Sequence, residues 1–194
     1  MPSLTVFALL AVSLPVSFQE NLAALSSNRT VTAEYRQERG FKGSTMKLKV
    51  DGTMSYQRGK GLVWSTVSPV KTKTVIMPTS LRQWSAETGK TTEIGLSDVP
   101  FLKTVLDCQR AWFAGDLKAL NGFEAKAPDA ASVELVAVDS SVKELFPRMI
   151  IRFSGTPPSV RQVELFERSG DMITLRFHNV KNNVELPESV WECP

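Results

Sequence analysis

Residues 46–56 read MKLKVDGTMSY. Met46, Leu48, Val50, Met54 and Tyr56 share one parity, and Lys47, Lys49, Asp51 and Ser55 share the other. Side chains of a strand point alternately to its two faces, so this stretch predicts β-structure with one dry and one wet face, bent or divided at Gly52. The rhythm continues on both sides. A turn at 58–61 leads to a strand over 62–67, closed by Ser68-Pro69, and then to strands over 72–77 and 81–86. Further strands are expected over 133–138, 149–153, 160–167 and 172–180. Ser169-Gly170-Asp171 marks a tight turn before the last of these. The spacing of turn signals predicts a largely antiparallel meander of about eight to eleven strands. A sheet of that size must curl, split or close.

Two segments follow a helical period instead. Phe18, Leu22 and Leu25 predict a first helix ending near 26–28. Within PFLKTVLDCQRAWFAG (100–115), Phe101, Val105, Cys108 and Trp112 fall on one stripe that Leu102, Leu106 and Phe113 widen. Ser97 or Asp98 is the expected cap, Pro100 suits the first turn and Gly115 the end. This amphipathic helix is the natural cover for the dry face of the sheet.

The rest of the chain bounds the function. Its 194 residues suit one domain, and 42% hydrophobic with 22% charged residues is ordinary globular composition. The net charge of +3 is scattered, unlike the clustered basic face of a nucleic-acid binder. Residues 4–16, LTVFALLAVSLPV, are uncharged and too short to cross about 30 Å of hydrocarbon. They read as the core of a signal peptide over 1–17, leaving a single domain over 18–194. Neither a basic residue before the run nor a clean cleavage motif after it accompanies that reading. Export permits a disulfide between Cys108 and Cys193, although their sequence separation decides neither for nor against it. The single histidine, His178, and two distant cysteines lack metal-site spacing. The GxSxG, P-loop and GxGxxG patterns are all absent, so enzymatic chemistry, a metal and a cofactor are not expected.

The order of motifs resembles the periplasmic outer-membrane lipoprotein carrier family, the LolA type. The likeness is carried by Tyr35-Arg-Gln37, by Gly52-Thr-Met-Ser-Tyr-Gln-Arg58 followed by Leu62-Val-Trp64 and Pro69, and by Trp84. It continues through Val99-Pro-Phe-Leu102 and Phe177-His-Asn-Val180 to Asn183, Trp191 and Pro194. Gly59 stands where the family usually has Pro, and Met77-Pro-Thr-Ser80 replaces its usual Gly turn. The resemblance implies an α+β, mainly β fold. It would be an incomplete curved antiparallel barrel with a helical lid over an apolar cavity. It also implies a monomeric periplasmic carrier of acylated lipoproteins, served by an inner-membrane ABC transporter and an outer-membrane receptor. A LolA-like sensor domain and a carrier of another lipid are the alternatives. Met54, Tyr56, Leu62, Trp64, Trp84, Phe101, Leu102, Val105, Leu106 and Trp112 are the candidate cavity residues. If the parity of 46–56 runs on, Arg58 falls on the dry face, where a charge needs partners. By the resemblance it would latch the lid.

Overall fold

The computed structural model describes residues 16–116 and 122–194, with the side chains of Val16, Ser17, Pro100, Phe101, Leu102 and Ser141 left out. The expected signal peptide lies almost wholly outside those residues. The first described element, helix α1, spans Val16–Ser26.

Among the described residues, eleven antiparallel strands form one sheet. They are β1 (Thr30–Gly40), β2 (Lys47–Gln57), β3 (Gly61–Ser68), β4 (Thr72–Ile76), β5 (Ser80–Ser85) and β6 (Lys90–Gly95), followed by β7 (Phe123–Asp129), β8 (Ser132–Ala137), β9 (Arg148–Ser154), β10 (Ser159–Phe166) and β11 (Met172–Asn182). The order across the sheet is β6-β5-β4-β3-β2-β1-β11-β10-β9-β8-β7. Two meanders are thus joined where β1 pairs with β11, and the outer edges, β6 and β7, do not pair with each other. The sheet is a curved, unclosed half-barrel. Its edges are unattractive to further strands. β6 is mostly exposed and polar, and β7 carries Pro128 and a register shift between Lys126 and Asp129.

The connection from β6 to β7 runs from one edge of the sheet to the other, and helix α2 (Pro100–Ala114) lies on that path. Pro100 opens the helix, and Gly115 ends it at φ 64°. The cap differs from expectation. Val99 holds the cap position without a side-chain bond, while Ser97 donates instead to Asp98 at 3.1 Å. A short helix α3 (Ser140–Leu145) joins β8 to β9.

The main core fills the concave side. Val31, Ala33 and Tyr35 of β1, Met54 and Tyr56 of β2 and Leu62 of β3 are each 5% exposed or less. They meet Phe177 of β11, Ile151 of β9, Val163 of β10, and Leu106, Trp112 and Phe113 of α2. Gly52 does not divide β2. Instead, the pairing with β3 slips at Asp51/Gly52, and a Cβ on Gly52 would lie 2.8 Å from the Tyr35 ring. The ring needs that space, and its hydroxyl shares a 2.8 Å hydrogen bond with Thr66. A smaller core lies on the convex side, where residues 183–194 fold back over β3 and β4 and bury Val63, Val75 and Trp191 together.

Candidate functional site

Between α2 and the concave sheet lies a cavity of about 380 Å³. Tyr35, Gln37, Val50, Trp64, Thr66 and Thr74 line it from the sheet, and Leu106, Gln109 and Trp112 from α2. A second, smaller and strongly apolar space of about 40 Å³ lies on the other flank of α2, among Val105, Cys108, Phe123, Val142 and Met149. Trp112 and Gln109 border both spaces.

Aromatic packing organises the floor. Trp64 meets the Tyr35 ring edge-on at 4.9 Å and lies 6.2 Å from Phe177. Phe177 in turn meets Phe113 of α2 edge-on at 5.4 Å. Such contacts are worth about 0.5–1.5 kcal/mol each beyond area burial. Burial raises the phenol of Tyr35, opposed by the hydrogen bond from Thr66. Tyr56 is raised for the same reason, with the charges of Arg58 and Arg110 working against the shift.

Two polar ties hold α2 to the sheet. Trp64 Nε1 donates to Gln109 Oε1 at 3.1 Å. At the rim, Arg58 Nη2 donates to Ala114 O at 3.2 Å and to Ser26 O at 2.6 Å, while its Nε donates to Asn28 O at 3.1 Å. The last carbonyls of a helix lack intrahelical partners, so a guanidinium where α1 and α2 both end satisfies one at each end. The two helix ends are in close contact, since a Cβ on Gly115 would lie 2.8 Å from Leu22 O.

The expected site residues divide into groups. Trp64, Leu106 and Trp112 line the larger cavity, and Val105 the smaller. Met54, Tyr56 and Leu62 share the concave face but sit in solid core beside the cavity. The side chains of Phe101 and Leu102 lie outside the described set. Trp84 belongs elsewhere. It pairs in register with Lys73 and Thr91, and Arg82, two residues back on the same strand and so on the same face, donates to Trp191 O at 2.8 Å, which places it on the convex face. Leu81 points inward, and three residues along a strand reverse the face. Arg58 is exposed at the rim instead of lying on the dry face, because β2 ends at Gln57 and the parity stops there. Met46 and Leu48 do share the inward parity, but they extend past the cover and are 65% and 47% exposed.

The disulfide does not form. Both cysteines are free, Cys108 on the buried face of α2 and Cys193 on the convex side near Lys73 O, with the sheet between them. Burial pushes the Cys108 thiol up to about 12, with the charge of Asp107 adding to the shift.

Sequence reasoning missed Gln109, Thr74 and Ile173 as lining residues. Gln109 carried a signal, being a polar residue four places after Val105 within an apolar stripe. The closing Asn residues have a backbone role. Asn179 at φ 50° sits by the register shift between β1 and β11, and Asn183 at φ 57° caps the pair by accepting Arg29 N–H at 2.8 Å. Asparagine is among the few residues that adopt this conformation readily. Among the described residues there is no metal-binding group of three or more, and no helix is long and apolar enough to cross a membrane.

A half-barrel with a helix laid across its concave face is an open, one-sheet architecture without an enclosed barrel. The profile of the family described as outer membrane lipoprotein carrier protein LolA matches residues 26–193, and the chain belongs to that family. No curated protein matches it. An uncharacterized conserved protein from Thermus thermophilus has a similar fold, with a TM-score of 0.55 at 12% identity over 92% of this chain and 94% of that one. A DUF1329 family protein from Desulfovibrio piger is similar with a TM-score of 0.53 at 10% identity, over 93% of this chain and 98% of that one. A LolA superfamily protein from Nitrosomonas europaea aligns over 92% of this chain and 99% of that chain, at 10% identity and a TM-score of 0.49.

Proposed function

We propose that the chain is a periplasmic carrier that shields the acyl chains of a lipoprotein, or of a related lipid, on their way to the outer membrane. The observation that carries this reading is the cavity under α2, in a chain of the LolA family. Each CH₂ moved from water to an apolar site is worth about 0.8 kcal/mol, so an acylated protein crosses water only with its chains covered. Ligand sites commonly run to about 300–1,000 Å³. A space of about 380 Å³ is small for several chains, so the closed arrangement is the empty form and uptake moves α2 off the sheet. Arg58 then acts as a latch, since its bonds to Ser26 and Ala114 hold both helix ends at the rim. By this reading an inner-membrane ABC transporter loads the carrier and an outer-membrane receptor unloads it.

Native mass spectrometry of protein purified from its own periplasm tests the reading. A bound acylated peptide supports the lipoprotein carrier, and free lipid supports the broader lipid carrier. Protein that stays empty, and that also takes up no acylated peptide when offered one, defeats both.

A further inference from the structure

The cavity is chemically two-sided. Toward β10 and β11 its wall is hydrocarbon, formed by Leu165, Ile173 and Leu175. Toward β3, β4 and β5 it carries Thr66, Thr72, Thr74 and Gln83. Register gathers these four into two adjacent rows, Trp64-Thr74-Gln83 and Thr66-Thr72. Gln83 is exposed and the three threonines are half-buried, whereas Leu165 and Leu175 are buried, yet position along the strands does not separate the two walls. The row of Thr66 is level with Tyr35 and Phe177, through Gly52. Leu175 and Ile173 lie further along β11 in the direction of the strand end, and they remain apolar. Valine has nearly the shape of threonine and would fill the same strand positions without a hydroxyl.

A second observation points the same way. Trp112 is 3% exposed and borders the cavity, and its Nε1 is buried without a hydrogen-bond partner among the described residues. Leaving such a donor unmet costs about 1–3 kcal/mol. Gln83 meets Thr74 only at 3.3 Å, so that pair makes one long bond across the strands. Threonine hydroxyl, glutamine amide and indole N–H can all donate, and the strongest acceptor that the linkage of an acyl lipid offers them is its carbonyl.

We infer that the polar wall formed by Thr72, Thr74, Gln83 and Trp112 receives the ester or amide carbonyl of an acyl lipid while its chain lies on the Leu165–Ile173–Leu175 wall. This deepens the lipid-carrier reading and rests on it. A site built around such donors disfavours an analogue that lacks the acceptor.

The test is calorimetric titration of the full chain with two probes, 1-palmitoylglycerol and 1-O-hexadecylglycerol. They share headgroup and chain length and differ at the carbonyl. The wild-type protein should bind the ester about ten-fold tighter, the effect of one or two net hydrogen bonds. The double variant Thr74→Val/Gln83→Leu should lose that preference and keep ether-lipid affinity within about two-fold, which also reports intact folding. Trp112→Phe, which keeps a ring and removes the N–H, should reduce the preference in part. Equal affinity of the wild type for both probes overturns the inference and leaves the lipid-carrier reading standing. So does an unchanged preference in the double variant. Binding of neither probe overturns the inference, and the acylated-peptide test above then decides the reading on which it rests.

Discussion

The same sheet wears two covers, and they are built differently. On the convex side the 3₁₀ turn Glu188–Trp191 and its flanks are pinned residue by residue. Lys60 bonds Glu188 at 2.7 Å and lies 5.1 Å over the Trp191 ring, Lys73 donates to Ser189 O at 3.1 Å, and Arg82 donates to Trp191 O. On the concave side α2 buries more hydrocarbon but is tied to the sheet by Trp64 to Gln109 and at the rim by Arg58. It also spans a cavity, whereas Trp191 packs directly on Val63 and Val75. Packing without voids specifies one arrangement, while a void beneath a helix leaves its underside short of contacts. The C-terminal segment is therefore a structural clamp, and α2 is the more loosely held cover, as the proposed lid requires.

The largest effect should come from the clamp. Trp191→Ala removes the centre of the convex cluster and should lower global stability by about 3–5 kcal/mol, read as a shift of the urea midpoint. If only local exchange near the C-terminus changed, the clamp would be no more structural than the lid. Gly61→Ala comes next. Its Cβ would meet Ile76 O at 2.2 Å and the Trp191 ring at 3.3 Å, so the β3–β4 contact and the clamp cannot both keep their places. A loss of about 1–3 kcal/mol is expected, again in the global transition.

Arg58→Leu should behave differently. It removes the donors to Ser26, Asn28 and Ala114 while leaving the apolar contacts of α2 in place. A loss of about 1–2 kcal/mol should appear as faster amide exchange in α2 and the end of α1, ahead of the global transition. Uniform loss of protection across all eleven strands would mean that Arg58 is part of the clamp's cooperative unit and is no latch.

The same contrast explains what could be read from the residues alone. Helix α2 was legible because its stripe repeats over four turns, and β2 because polar and apolar residues alternate strictly. The central strand β1 was not foreseen. Its inward Val31, Ala33 and Tyr35 do alternate with polar residues, but the apolar row is only three long before Gln37 and Arg39 continue it, and the outward Glu34, Arg36 and Glu38 find Asn179, Asp51 and Arg176 only in the folded sheet. Strands β6 and β7 are edges, with too little buried surface to impose a pattern. Trp84 was assigned to the cavity although its offset of three from Leu81 puts it on the other face. A large aromatic there looks misplaced until the C-terminal segment, a hundred residues on, is known to fold back over that side of the sheet. Local pattern can show that a face is dry. It does not show which distant segment dries it.

The smallest effect is kinetic, and it separates the two covers with the protein's own thiols. Cys108 is 7% exposed on the inner face of α2, with its thiol pushed up to about 12 by burial, whereas Cys193 is half-buried within the clamp. The thiolate is the reactive form. At pH 8 a disulfide reagent should therefore modify one cysteine quickly in the native protein, and two in denaturant. Arg58→Leu should speed the slow reaction of Cys108 several-fold, because lid opening both exposes and rehydrates the thiol, and should leave Cys193 unchanged. The sign of the pH dependence follows. Because the folded protein holds the Cys108 proton up to about 12, against an ordinary value of 9.0, its contribution to stability is intact below about pH 9 and is lost as pH rises toward 12. Alkali should thus open the lid before it loosens the clamp. Equal acceleration of both thiols by Arg58→Leu would show that the two covers move together and that the contrast between them does not hold.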